Sequence, residues 1–174
     1  MEKITKLSKF ILFISILSFI VWFGSFLVKM LSIYGMFLPD KLELKTTFTE
    51  VDPTSLFYFM LPTFVTNISS FGIFILTFIL FLITGKINLK NEGWLFISTI
   101  LILITAPLEI FLYTIDWKII FEIMNGIQDK NLIFGLIVKR VSVFGSFPVI
   151  EFFLYVGVIF LFIFRPMRKL HNED

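Results

Sequence analysis

The chain has 174 residues, 57% of them hydrophobic and 16% charged, with a formal net charge of +2 and a mean hydropathy of +0.95. A water-facing surface carries about 25% charged residues, so this composition excludes a soluble enzyme, a disordered tail and a nucleic-acid binder. Cysteine is absent, which excludes disulfides, thiolate metal sites and cysteine nucleophiles. The single histidine, His171, cannot by itself hold a bis-histidine haem or a histidine-rich metal cage.

A helix needs about 20 mostly apolar residues to cross a hydrocarbon core of about 30 Å. Four segments meet that length: residues 10–31, 56–84, 94–115 and 141–164. The first follows a basic start (Lys3, Lys6, Lys9), as a secretory signal does. Its apolar stretch is longer than a signal's, and no small-x-small cleavage site closes it, so a retained helix is expected. Within it Ser8, Ser15, Ser18, Ser25 and Ser32, with Gly24 alongside, read as a packing seam of small residues.

In the first outer loop, residues 32–52, the segment Lys41–Phe48 alternates polar and apolar side chains and reads as a short strand or hairpin arm. Two strands alone are marginal in water, so they would have to lie on the helix ends. Asp52-Pro53 marks a helix start. A helix from Pro53 to Thr84 would be about 48 Å long, longer than the bilayer is thick, and a kink near Pro62 is expected. Along it Thr63, Thr66, Asn67, Ser70, Thr77 and Thr84 recur at spacings of three, four and seven. Such a stripe either packs against a partner helix or lines a polar cavity.

The third apolar run, Gly93–Ile115, is interrupted only by Glu109. After it, Ile119, Ile120, Ile123 and Ile127 at helical spacing suggest an amphipathic helix over Asp116–Gln128, either on the membrane surface or across the outer end of the helices. Leu132–Val138 is too short to span, and reads as a re-entrant piece or an extension of the fourth helix. Lys139 and Arg140 at its end are expected to snorkel to headgroups. The fourth run, Val141–Phe164, carries Glu151. The pentapeptides Glu109–Tyr113 and Glu151–Tyr155 agree at four of five positions, which so restricted an alphabet produces readily by chance.

Ionisable side chains within spans are costly and are the most informative features. At 1.5 Å per residue, Glu109 is expected about 9 Å and Glu151 about 15 Å from the outer helix ends, with Pro107 and Pro148 freeing backbone carbonyls nearby. Two carboxylates and carbonyls suit a proton or cation, whereas Arg140, three turns from Glu151, would instead neutralise one of them. The candidate intramembrane polar site is therefore Glu109, Glu151, Arg140, Asn67, Thr63, Thr66 and Ser70. No nucleotide loop, nucleophile elbow or HExxH occurs, and no cofactor is expected.

The expectation for the fold is an all-α integral membrane protein, a four-transmembrane-helix bundle with a short interfacial helix and a small extended segment in the first outer loop. A chain with packing seams but no complete site suggests a non-catalytic accessory or assembly subunit of a larger membrane complex. The alternatives are a small oligomeric transporter or ion/proton conduit using the carboxylates, and a lipid- or quinone-binding protein or enzyme. Expected partners are the lipid bilayer and other membrane subunits or further copies of the chain, with no nucleic acid. Eight Lys/Arg lie on the side of the termini against seven on the other, and the densest clusters flank the termini. That favours both termini in the cytoplasm of a bacterial inner membrane.

Overall fold

The computed structural model describes residues 5–38, 41–45, 48, 53–127 and 129–167. The described chain is nearly all helical: α1 (Lys6–Met36), α2 (Pro53–Gly85), α3 (Gly93–Met124), α4 (Lys130–Val143) and α5 (Phe147–Phe164). A short antiparallel pair, β1 (Phe37–Leu38) and β2 (Lys41–Leu44), follows α1. Of these helices α1, α2, α3 and α5 are long and apolar enough to cross a membrane, and the four-run expectation holds at that level. His171 and, in the first loop, residues 39–40, 46–47 and 49–52 lie outside the described set.

Local chemistry fixes the boundaries. Thr5 caps α1, its side chain accepting from the Ser8 amide at 3.2 Å. Asp129 caps α4, accepting from the amides of Asn131 and Leu132 at 2.8 and 3.3 Å, as an N-cap carboxylate should. Gly126 (φ 94°) turns the chain out of α3, and Gly145 (φ 35°) separates α4 from α5, both in a region that glycine enters at no steric cost. Pro148 then sits in the first turn of α5, where a missing amide hydrogen costs nothing.

Two expectations are corrected. Residues 116–124 do not form a separate interfacial helix but continue α3, which runs unbroken for 32 residues through Pro107. The reason is visible in its buried face: Leu112, Ile115, Asp116, Ile119, Ile120 and Ile123 extend the same face as Ile102, Thr105 and Glu109. The fourth span begins at Phe147, not Val141, because residues 141–143 belong to α4. Helix α2 is a single 33-residue element with Pro62 inside it. The extended segment of the first loop is present as the β1–β2 pair, in which Phe37 opposes Leu44 and Leu38 opposes Lys41. It sits on the end of α1, where Lys45 donates its amide to the Met36 carbonyl at 3.0 Å and its ammonium to the Gly35 carbonyl at 2.7 Å.

The most extensive helix contact joins α1 and α2. The buried side of α2 is Phe57, Met60, Phe64, Asn67, Phe71, Phe74, Phe78 and Phe81, a strict alternation of three and four. Helix α1 answers with Ser15, Ser18, Trp22, Phe26, Lys29, Ile33 and Met36, nearly the same repeat. A heptad seam of this kind keeps two helices in register over their length. In lipid the gain comes from close packing and buried polar contacts, since the surroundings are as apolar as the seam. Trp22 is its centre, fully buried, with ring centroids of Tyr155 at 4.6 Å and Phe71 at 5.3 Å.

Buried apolar residues form two clusters. One, at the hairpin end, gathers Ile33, Phe57, Phe64, Ile119, Ile123, Ile133 and Ile137. The other, toward the termini, gathers Trp22, Phe71, Phe78, Trp94, Ile102 and Tyr155. At the latter end the chain beyond α5 returns to the start of α3. A Cβ at Gly93 would lie 3.1 Å from Met167 Cβ and 3.2 Å from the Met167 carbonyl oxygen, so any larger residue there would push this segment back by a few tenths of an ångström.

Candidate functional site

Between the two apolar clusters lies a layer of charge. Lys29 on α1 falls between Phe26 and Ile33, and Asn67 on α2 between Phe64 and Phe71. Glu109 and Asp116 on α3, Arg140 on α4 and Glu151 on α5 complete the layer, and none of the six is more than 6% exposed.

Asp116 is the central acceptor. Its Oδ2 accepts from Lys29 Nζ at 2.9 Å and its Oδ1 from Arg140 Nε at 2.6 Å. Lys29 also donates to Asn67 Oδ1, and its ammonium lies 5.1 Å from the Tyr113 ring centroid. Asn67 Nδ2 in turn donates to Ser25 Oγ at 3.1 Å and to the Trp22 carbonyl at 3.3 Å. One chain of contacts therefore ties α1, α2, α3 and α4 together. Arg140 lies outside the four apolar spans. Burial works most strongly against its charge, but the Asp116 carboxylate, through charge and hydrogen bond, together with Glu109 and Tyr113 holds the guanidinium pKa above its ordinary value. It stays charged at any accessible pH.

Glu109 and Glu151 are different. Both are fully buried, and none of their four carboxyl oxygens has a hydrogen-bond partner. Glu151 lies close to Glu109, with Lys29 and Arg140 also within electrostatic reach. The two side chains flank the hydrogen-bonded pairs that lock the same layer: Trp22 Nε1 donates to Tyr113 Oη at 2.9 Å, and Tyr155 Oη shares a hydrogen bond with Thr105 Oγ1 at 2.8 Å. Four residues separate Glu109 from Tyr113 and Glu151 from Tyr155, one helical turn in each case. The similarity of those two pentapeptides thus coincides with equivalent places in one layer, whatever its origin.

Of the residues expected at an intramembrane polar site, the fold brings Glu109, Glu151, Arg140 and Asn67 into this layer. It does not bring in the rest of the α2 stripe. Thr66 is exposed and Thr63 half-buried. Ser70, though buried, returns its hydroxyl to the Thr66 and Asn67 carbonyls, and Thr77 and Thr84 likewise bond carbonyls one turn back, at 2.7 and 2.8 Å. These hydroxyls spend their donors on their own helix rather than on a neighbouring one. Arg140 is a buried partner of Asp116 rather than a headgroup anchor or the counter-ion of Glu151, while Lys139 is exposed as expected. Glu151 lies four residues, about 6 Å at helical rise, inside the start of α5, shallower than the expected depth of about 15 Å because the helix starts later.

Lys29 and Asp116 are the layer residues that sequence reasoning does not pick out. Each ends or borders an apolar run, and a charge in that position looks like the edge of a span. The available signal was periodicity: Lys29 keeps the three-four spacing of Trp22, Ile33 and Met36, and Asp116 that of Glu109, Leu112, Ile119 and Ile123. Among the described residues no group of three or more His, Cys, Asp or Glu is placed to hold a metal ion. Comparison with protein-family models, with curated proteins and with solved structures finds no match for this chain.

Proposed function

We propose that the chain is a membrane-spanning four-helix bundle that takes one proton on Glu109 and Glu151 and works as a small proton-coupled conduit or carrier. The observation that carries this reading is the charge count of the buried layer. Two cations, Lys29 and Arg140, face three carboxyls, Asp116, Glu109 and Glu151. Both cations are already engaged by Asp116, which leaves two carboxyls beside each other with no donor. Two like charges cannot both persist in such a place, and an unpaired buried charge costs far more than a shared proton. One proton bound between them brings the layer to neutrality.

Interior carboxyls of this kind are the usual relay groups of membrane pumps and transporters. An accessory or assembly subunit, the leading expectation from the sequence, has no need of two interior carboxyls left without partners. The proposed orientation, both termini cytoplasmic in a bacterial inner membrane, gains support from the same layer. Of the seven basic residues on the hairpin side, Lys29 and Arg140 are consumed inside the protein. The loop bias becomes eight against five, in the direction that places the termini in the cytoplasm.

The test is proton flux into proteoliposomes holding an internal pH dye under an imposed potential. The wild type should acidify the lumen, and Glu109→Gln or Glu151→Gln should reduce the rate at least tenfold with unchanged protein incorporation. Equal rates for the wild type and both variants would contradict the proposal.

A further inference from the structure

On the terminal side of the charged layer, a cavity of about 350 Å³ opens between α1, α2, α3 and α5. Its volume would hold several waters at about 30 Å³ each. Its walls are nevertheless almost wholly apolar, with Phe19, Phe74, Phe78, Ile102 and Phe162 among them. Apolar cavities of this size stay dry and accept apolar ligands. The rim includes Ile20 and Ile163, 60% and 64% exposed, on faces that a bilayer would cover, so the cavity opens sideways into hydrocarbon. It does not include Glu109 or Glu151, and is therefore separate from the buried charges.

Two charged residues stand at the mouth, Glu92 and Arg165. Glu92 is engaged, its Oε2 accepting from Trp94 Nε1 at 2.7 Å. Arg165 caps α5, and its guanidinium lies 5.5 Å from the Trp94 ring centroid and 5.8 Å from that of Phe162. It makes no side-chain hydrogen bond or ion pair among the described residues. A guanidinium steadied on two aromatic rings keeps its N–H fork free for a planar or phosphate oxyanion.

We infer that this cavity seats one acyl chain of an anionic phospholipid, with the headgroup phosphate on Arg165. The apolar chain and the phosphate belong to one molecule, and the bilayer supplies that molecule at high concentration directly at the opening. A free phosphate would leave the cavity empty, and a neutral apolar molecule would leave Arg165 unused.

The full-length protein in mild detergent, titrated with phosphatidylglycerol or with phosphatidylcholine and read by native mass spectrometry, tests this. The wild type should retain one phosphatidylglycerol at least fivefold more than one phosphatidylcholine. Arg165→Gln, a change at the helix end, should abolish that preference. Ser15→Leu, which adds volume to the cavity wall, should reduce retention of both lipids. Equal retention of the two lipids by the wild type, an unchanged preference in Arg165→Gln, or undiminished binding in a folded Ser15→Leu protein would each overturn the assignment.

Discussion

Asp116 holds two cations from two other helices with its two oxygens, and no other carboxyl of the layer is so placed. Removing it leaves Lys29 and Arg140 buried and uncompensated, which costs about 3–5 kcal/mol. Asp116→Ala should therefore show the largest stability loss of any single change in the layer, measured as residual folded protein after heating in detergent. Replacing Lys29, Asp116 and Arg140 together by methionine should recover much of that loss, because apolar residues of similar volume often substitute for a buried ionic pair or triad. Glu109→Gln and Glu151→Gln should behave in the opposite sense. Each removes an unpartnered carboxyl, so thermal stability should be unchanged or higher even where flux is lost. A stability loss in the glutamines equal to that of Asp116→Ala would show that the two glutamates are structural partners.

At the scale of elements, the long helices were legible and their interior faces were not. Uniform apolar composition marks a span but hides its buried side, since Phe57, Phe64, Phe71 and Phe78 look like every other phenylalanine on α2. The polar residues of α2 drew attention because they are rare, yet a hydroxyl can satisfy itself on the preceding turn, which an amide such as Asn67 does less readily. Asn67 accordingly is the one stripe residue that reaches another helix. The break after α3 went to the wrong place because Ile115-Asp116 looks like the end of an apolar run, whereas the isoleucine face continues for two more turns. Seam packing predicts that Phe71→Ala, which truncates a ring packed on Trp22 and Tyr113, should cost about 3–5 kcal/mol. The exposed neighbour Ile73 changed to alanine should cost far less, and the same heating assay separates the two.

Across the whole molecule, an even number of spans puts the Lys86–Asn91 connection with the termini and the α3–α4 turn with the hairpin. Asn88 and Asn125 are both exposed and lie in those two places. As single cysteines in a chain that has none, they should label from opposite faces of sealed vesicles, with Asn88 reached from the cytoplasmic face. Labelling of both from one face would contradict the four-span arrangement, and reversed labelling would contradict only the orientation.

The charge layer belongs to this scale too, because every one of the five helices except α2 contributes an ionisable group to it, and α2 contributes Asn67. The claim that Glu109 and Glu151 hold one proton between them is tested most directly by infrared spectroscopy of the protein in lipid at neutral pH. A protonated carboxyl band is predicted in the wild type, equivalent to one group per chain. It should shift or disappear in both Glu109→Gln and Glu151→Gln. A wild-type spectrum showing only ionised carboxylates, or a band indifferent to both substitutions, would contradict the account.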